Sequence, residues 1–306
     1  AGTAGSIVSV VDYTNTFQTH KLTITPNGSQ KIGGIATSTT LTTEGQSVTF
    51  VYVDDTEGWK NIQDSTSNVT GRNFLTATGG TVTTSGDCKI HTFTGPGTFC
   101  VSAISTVSTE NEVSYLVVAG GGGGGSGYQT GGGGGGGFRE YKGPAGGYTA
   151  SPLDGNPGGT AVTVTATAFP ITVGGGGAAG PGSPGDGAKG SNGNPSIFST
   201  ITSTGGGAGA AYNPVAGPIQ DGNPGGSGGG AGRRSENNPG GSGNTPPVSP
   251  PQGKDGGAAN LPYTFPYGGG GGGGATTAGS NSSGSSVGNA GTGATTSING
   301  SPTSFS

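Results

Sequence analysis

Residues 114–141 read SYLVVAGGGGGGSGYQTGGGGGGGFREY. A short apolar run that wants burial leads straight into six glycines, and seven more follow after a five-residue break. Glycine loses more backbone freedom on folding than any other residue. Such a stretch is either never ordered, or it stands where no side chain fits.

The rest of the chain divides around this stretch. All but 13 of the 74 glycines lie after Ala119. Gly and Pro at this level, without a triplet period, are a mark of low complexity or disorder. Against disorder stand the apolar segments AVTVTATAFPITV (161–173) and SIFSTITST (196–204) between glycine runs. The net charge of −4 is too small to expand the chain by repulsion. Eleven Lys and Arg in 306 residues leave no basic footprint, so no nucleic-acid partner is expected. No apolar run approaches the ~20 residues that span a bilayer, so no membrane insertion is expected. The chain opens at Ala1 and contains no methionine, which reads as a processed or partial product.

Residues 1–119 read as β throughout. SIVSVV (6–11), HKLTIT (20–25), QSVTFVYV (46–53), HTF (91–93), TFCVSAI (98–104) and EVSYLVVA (112–119) are rich in β-branched and aromatic residues, with Gly, Pro, Asn and Asp between them. In QSVTFVYV, Val48, Phe50 and Tyr52 share one face, and Val51 and Val53 the other. A strand apolar on both faces is covered on both. Other copies of the chain could cover it, with Trp59 and Ile62 near the interface. A strand in a monomeric sandwich is the alternative. CKIHTFTGPGTFC (88–100) reads as a hairpin turning at TGPG. Cys88 and Cys100 could form a disulfide of an extracellular protein or be free thiols. The hairpin register sets Phe93 against Thr98 and Cys88 against Ala103, which does not bring the two sulfurs together.

LTITPNGSQKIGG (22–34) and LTTEGQSVTFVYVDDTEGWKNI (41–62) resemble modules of bacteriophage tail-fibre and other virion appendage proteins. GDCKIHTFTGPGTFCVS (86–102) and EVSYLVVAGGGGGG (112–125) resemble a glycine-rich domain common in phage structural proteins. So do VTVTATAFPITVGGGGAAG (162–180) and GNPSIFSTITSTGGGAG (193–209). In the adhesin at the tip of T-even-type long tail fibres, related runs form packed polyglycine II helices joined by variable loops. The resemblance implies a mostly β chain with little or no α-helix. A β oligomerisation and attachment module would occupy 1–70, a β hairpin module 71–119, and a polyglycine II domain with irregular display loops 120–306.

The runs 120–125, 131–137, 174–177 and 268–274, with shorter ones at 205–207 and 228–230, suit that expectation. A polyproline II-type helix has three residues per turn and no internal hydrogen bonds, so every N–H and C=O must pair sideways. Only glycine lets such backbones close up. Large side chains then fall on the loops. Phe138, Arg139, Tyr141, Tyr148, Tyr212, Arg233, Arg234, Tyr263, Phe265 and Tyr267 are the candidate receptor-contacting residues, with Tyr128 beside them. Capping of the rod ends is the other role such residues could fill. Tyr and Arg are common at binding hot spots, and loops on rigid scaffolds carry function.

Chemistry is not expected. G-x-G-x-x-G matches follow from composition and lack a strand–turn–helix context. Asp54, Asp55 and Glu57 do not match a Ca²⁺ loop and read as a solvated turn. His20 and His91 are far apart in sequence. No catalytic constellation, cofactor or metal site is discernible, and the expectation is a protein that is not an enzyme. The resemblance implies a virion-surface homotrimer. It would contact other virion proteins through its N-terminus and a host polysaccharide or outer-membrane protein through its loops. A purely structural virion protein, such as a capsid-decorating or tail accessory fibre, is a second reading. A secreted ice-binding protein is a third.

Overall fold

The computed structural model describes residues 2–65, 74–105, 107–158, 160–182, 187–212, 218–232, 238–259, 268–283 and 286–306. The described residues are mostly β-strand and extended chain, with two short 3₁₀ turns and no α-helix. The chain divides into two compact units, Ala1–Asn73 and Phe74–Ser306.

In the first unit, strand Ser47–Tyr52 lies between Ile7–Val11 and Trp59–Asp64, antiparallel to both. A separate hairpin pairs Leu22–Ile24 with Thr39–Leu41. Alternation places Val48, Phe50 and Tyr52 inward, all buried. Val48 and Phe50 pack with Leu41, Val10, Phe17, Leu22, Ile24, Ile32 and Trp59. On the other face Val51 is half-buried, and Ile7, Val53 and Ile62 are exposed. Trp59 thus belongs to the unit's own core. Gly58 shows why a glycine precedes it: φ is +72°, and an added Cβ would sit 2.0 Å from the Lys31 carbonyl oxygen. The buried carboxylate of Asp12 accepts from the N–H groups of Thr16, Phe17 and Gly45 at 2.9–3.1 Å. Burial pushes its pKa up, but these backbone donors outweigh that and hold it below the usual value.

In the second unit, a five-stranded antiparallel sheet runs in the order Ile201–Ser203, Ser196–Phe198, Ala168–Thr172, Gly97–Ala103, Thr76–Thr78. The expected hairpin over 88–100 does not form. Cys88–Thr92 folds back on Thr81–Ser85 across the two-residue turn Gly86–Asp87. Gly97–Ala103 then pairs with Ala168–Thr172 and Thr76–Thr78. Cys88 and Cys100 are both free and exposed. The main core joins Phe99, Val101, Tyr115, Val117, Tyr141, Val162, Val164, Phe198 and Ile201.

The glycine runs grow out of these strands. Tyr115–Val118 leads into 120–125, and 131–137 leads into Phe138–Tyr141, which pairs back with it. Hydrogen bonds between the runs step by three residues. The N–H groups of Ala119, Gly122 and Gly125 reach the carbonyls of Gly137, Gly134 and Gly131. Those of Gly120, Gly123 and Ser126 reach Asn194, Ser191 and Ala188 on a different neighbour. Gly131, Gly134 and Gly137 donate in turn to Ala210, Gly207 and Thr204. No glycine of 120–125 or 131–137 has a φ in the left-handed region, so backbone freedom is not why glycine stands there. Close approach is. A Cβ on Gly122, Gly125, Gly131, Gly133 or Gly136 would lie 1.8–2.1 Å from a neighbouring carbonyl oxygen.

Candidate functional site at the loop end of the glycine segments

The hydrogen-bond register gives each glycine segment a direction. Segment 119–126 runs one way and 131–137 returns, so 127–130 turns the chain at one end. Segment 177–180 runs parallel to 121–124, and 188–194 returns along it; residues 183–186 between them lie outside the described residues. Segment 206–209 is parallel to 120–123, and 223–226 returns along it. Segment 227–230 is parallel to 207–210, and 254–257 is parallel to 228–231, whereas 270–273 runs opposite to 228–231. The chain reverses at both ends: the turn 127–130 is at this loop end, whereas the reversals between 226 and 227 and between 274 and 277 are at the other, where this unit's strands and main core lie. Residues 213–217, 233–237 and 260–267 lie outside the described residues. Their described flanks gather here: Gly187 N donates to Tyr212 O, Asn238 exchanges backbone bonds with Ala259, and a Cβ on Gly269 would meet the Thr130 carbonyl oxygen.

The candidate residues separate by end. Tyr128 and Tyr212 meet edge-to-face at 6.5 Å between ring centroids. Tyr128 is 68 % exposed and Tyr212 half-buried. Just below them, Lys189 Nζ donates to Asn223 Oδ1 at 2.7 Å, and Asn223 Nδ2 donates to Asn192 Oδ1 at 3.0 Å. Desolvation lowers the Lys189 pKa against the opposing charge of Asp221. Arg233, Arg234, Tyr263, Phe265 and Tyr267 lie outside the described residues.

Phe138, Arg139, Tyr141 and Tyr148 are at the strand end, and the first three are buried instead of displayed. Phe138 is 1 % exposed and packs with Ala275, Ala294, Leu116, Val118, Leu153 and Phe305. Tyr141 stacks on Tyr115 with centroids 5.9 Å apart and donates to the Glu112 carboxylate. Desolvation, with Glu112 beside it, pushes its pKa up to about 12. Half-buried Tyr148 carries Lys142 over its ring at 5.6 Å. Desolvation and the charges of Glu140 and Asp154 push its pKa up as well.

Two groups that sequence reasoning missed stand out. Glu140, 2 % exposed, accepts from Ser151 N at 2.9 Å and from the Thr296 hydroxyl at 2.5 Å, tying three distant segments together. Gln252, fully buried, accepts from Thr204 N at 2.8 Å and donates to Pro246 O at 3.0 Å, so a side-chain amide completes the backbone network. Neither carried a signal in its neighbours, because Thr296 lies 156 residues from Glu140 and Thr204 lies 48 from Gln252. Among the described residues, no group of three or more His, Cys, Asp or Glu could hold a metal ion, and no helix is long and apolar enough to cross a membrane.

No curated protein and no solved structure matches the chain. A family model described as a glycine-rich domain matches residues 93–305. That span takes in four of the five strands of the sheet, every glycine run and the C-terminal hairpin, and by it the chain belongs to the glycine-rich domain family.

Proposed function

We propose that this chain is a virion appendage protein that attaches to a host surface, without catalysis, through loops held at one end of a polyglycine II-type bundle. The observation that carries the reading is the difference between the two ends of the glycine segments: one holds the strands and the main core, and the other holds the turn 127–130 with the exposed Tyr128 against Tyr212. The three-residue step of the lateral hydrogen bonds supports the polyglycine II conformation, which has three residues per turn. Such rods offer a partner only backbone and hydrogen. Discrimination between surfaces needs shape and directed polar groups, which the loops supply. Tyrosine gives contact area at low entropic cost, and Arg gives a planar donor set for phosphate or carboxylate. The proposed contact set is Tyr128 and Tyr212 with Arg233, Arg234, Tyr263, Phe265 and Tyr267. Burial removes Phe138, Arg139 and Tyr141 from it. The exposed apolar residues Ile7, Val11, Val53 and Ile62 in the first unit suit contacts between copies, and a homotrimer is part of the proposal.

The test exchanges 233–237 and 260–267 for Gly-Ser loops of equal length and measures adsorption of virions carrying the variant. Lost adsorption with an unchanged melting temperature is the expected result. Unimpaired adsorption of a folded variant would favour a structural virion protein. The edge-to-face packing of Tyr128 on Tyr212, which caps the segment ends, is the observation on that side.

A further inference from the structure

We propose that the first unit carries a second, independent binding site: the cleft walled by Trp59 takes a neutral saccharide. The cleft encloses about 350 Å³. That is at the small end of ligand pockets, about 300–1,000 Å³, and gives room for one or two sugar rings. Trp59, Phe50, Ile24 and Ile32 supply apolar wall, and Gln30 and Asn27 bring carboxamides to it. None of the lining residues is charged.

The chemistry of this lining selects among ligand classes. An anion would find no cation. A wholly apolar ligand would leave the two amides without partners, at the cost of desolvating them. A sugar ring offers both things the cleft asks for: a face of C–H groups that lies against the electron-rich face of an indole, and hydroxyls that donate to and accept from amides.

The amide of Gln30 is poised for exchange. Its Oε1 accepts from Trp59 Nε1 at 3.4 Å and its Nε2 donates to the Gly2 carbonyl at 3.4 Å. Both bonds are near the limit at which a hydrogen bond counts; the amide also bears on the Tyr52 hydroxyl, and a ligand hydroxyl would take the place of these contacts. The backbone that carries the indole, by contrast, is held, and an aromatic ring packs on the indole itself. Trp59 N donates to Lys31 O at 2.8 Å, Gly33 N donates to Trp59 O at 2.9 Å, and Tyr52 packs edge-on at 5.4 Å. A wall fixed before binding lowers the ordering cost.

The chain has one tryptophan, so its fluorescence reports on this cleft alone. The intact chain is titrated with maltose, lactose and N,N′-diacetylchitobiose. A saturable change with at least one of them, with a Kd on the order of 1 mM, is expected. Gln30→Ala should weaken that binding about five- to tenfold, the loss of one neutral hydrogen bond. Asn27→Ala, on an exposed turn, should weaken it less and leave thermal unfolding unchanged, which keeps the test decisive if Gln30→Ala loosens the fold. No saturable change with any of the three sugars overturns the proposal. So does binding that both variants leave intact, or a signal that tracks protein concentration in place of sugar, which would mean that a second copy fills the cleft. The variant with exchanged loops should titrate like the parent, so loss of host adsorption and loss of cleft binding are separate results.

Discussion

Gly124 and Gly125 are neighbours in one run and stand in opposite circumstances. A Cβ on Gly125 would lie 1.9 Å from the Ala210 carbonyl oxygen, whereas on Gly124 its nearest neighbour is the Gly131 oxygen at 3.8 Å. Gly124→Ala should therefore change stability by no more than about 0.5–1 kcal/mol, and in the favourable direction, since Ala has less freedom to lose from the unfolded chain. Gly125→Ala must push backbone away from backbone and should cost about 3 kcal/mol or more, beyond ordinary overpacking. Urea unfolding of the two variants separates these outcomes. Glu140 makes a second contrast. Glu140→Ala strips acceptors from the Ser151 amide and the Thr296 hydroxyl and should cost about 2–4 kcal/mol. In a double-mutant cycle, Thr296→Val should cost little once Glu140 is gone. Nothing in FREY (138–141) foretold this. Two charges in four residues read as a surface loop, yet all four are buried, because the C-terminal strand Ala294–Thr296 brings Thr296 to Glu140.

At the scale of the element, most strands were legible and their partners were not. SVTFVY and YLVV announce themselves by alternation and β-branching. The pairing of Gly97–Ala103 with Ala168–Thr172 leaves no local mark, because about 70 residues intervene. The misjudged hairpin is different, since Gly86–Asp87 between TVTTS and CKIHT is a two-residue turn signal, and TGPG drew the reading away from it. The tyrosines that join Tyr115–Val118 to Phe138–Tyr141 make this element pH-sensitive. Tyr141 is raised to about 12 in the folded chain from an ordinary 10.0. The unfolded chain releases that proton first, so the stability it contributes is complete below pH 10 and is lost as pH climbs from 10 toward 12. Tyr141→Phe should flatten that part of the curve. Phenolate absorbance of the folded chain should show Tyr141 titrating late, and Glu112→Gln should bring it earlier.

For the whole molecule, composition marked where one kind of order gives way to another, near Ala119, and left open whether order exists beyond it. Glycine counts cannot separate a disordered tail from a backbone lattice, since both need the same residue. The difference lies in which glycines are crowded, and that depends on neighbours tens of residues away, as with Gly122 against Gly207 and Gly131 against Gly230. The direction of each segment, and with it which turns lie at which end, is likewise a property of the assembled register. Amide hydrogen exchange resolved to single residues tests the lattice most directly. The N–H groups of Gly122, Gly131, Gly134, Gly137 and Gly207, each bonded to a carbonyl of another segment, should exchange only through global unfolding. The exposed turn residue Tyr128 should exchange orders of magnitude faster. Glycine amides that exchange throughout 120–137 at the rate of an unstructured chain would contradict the account.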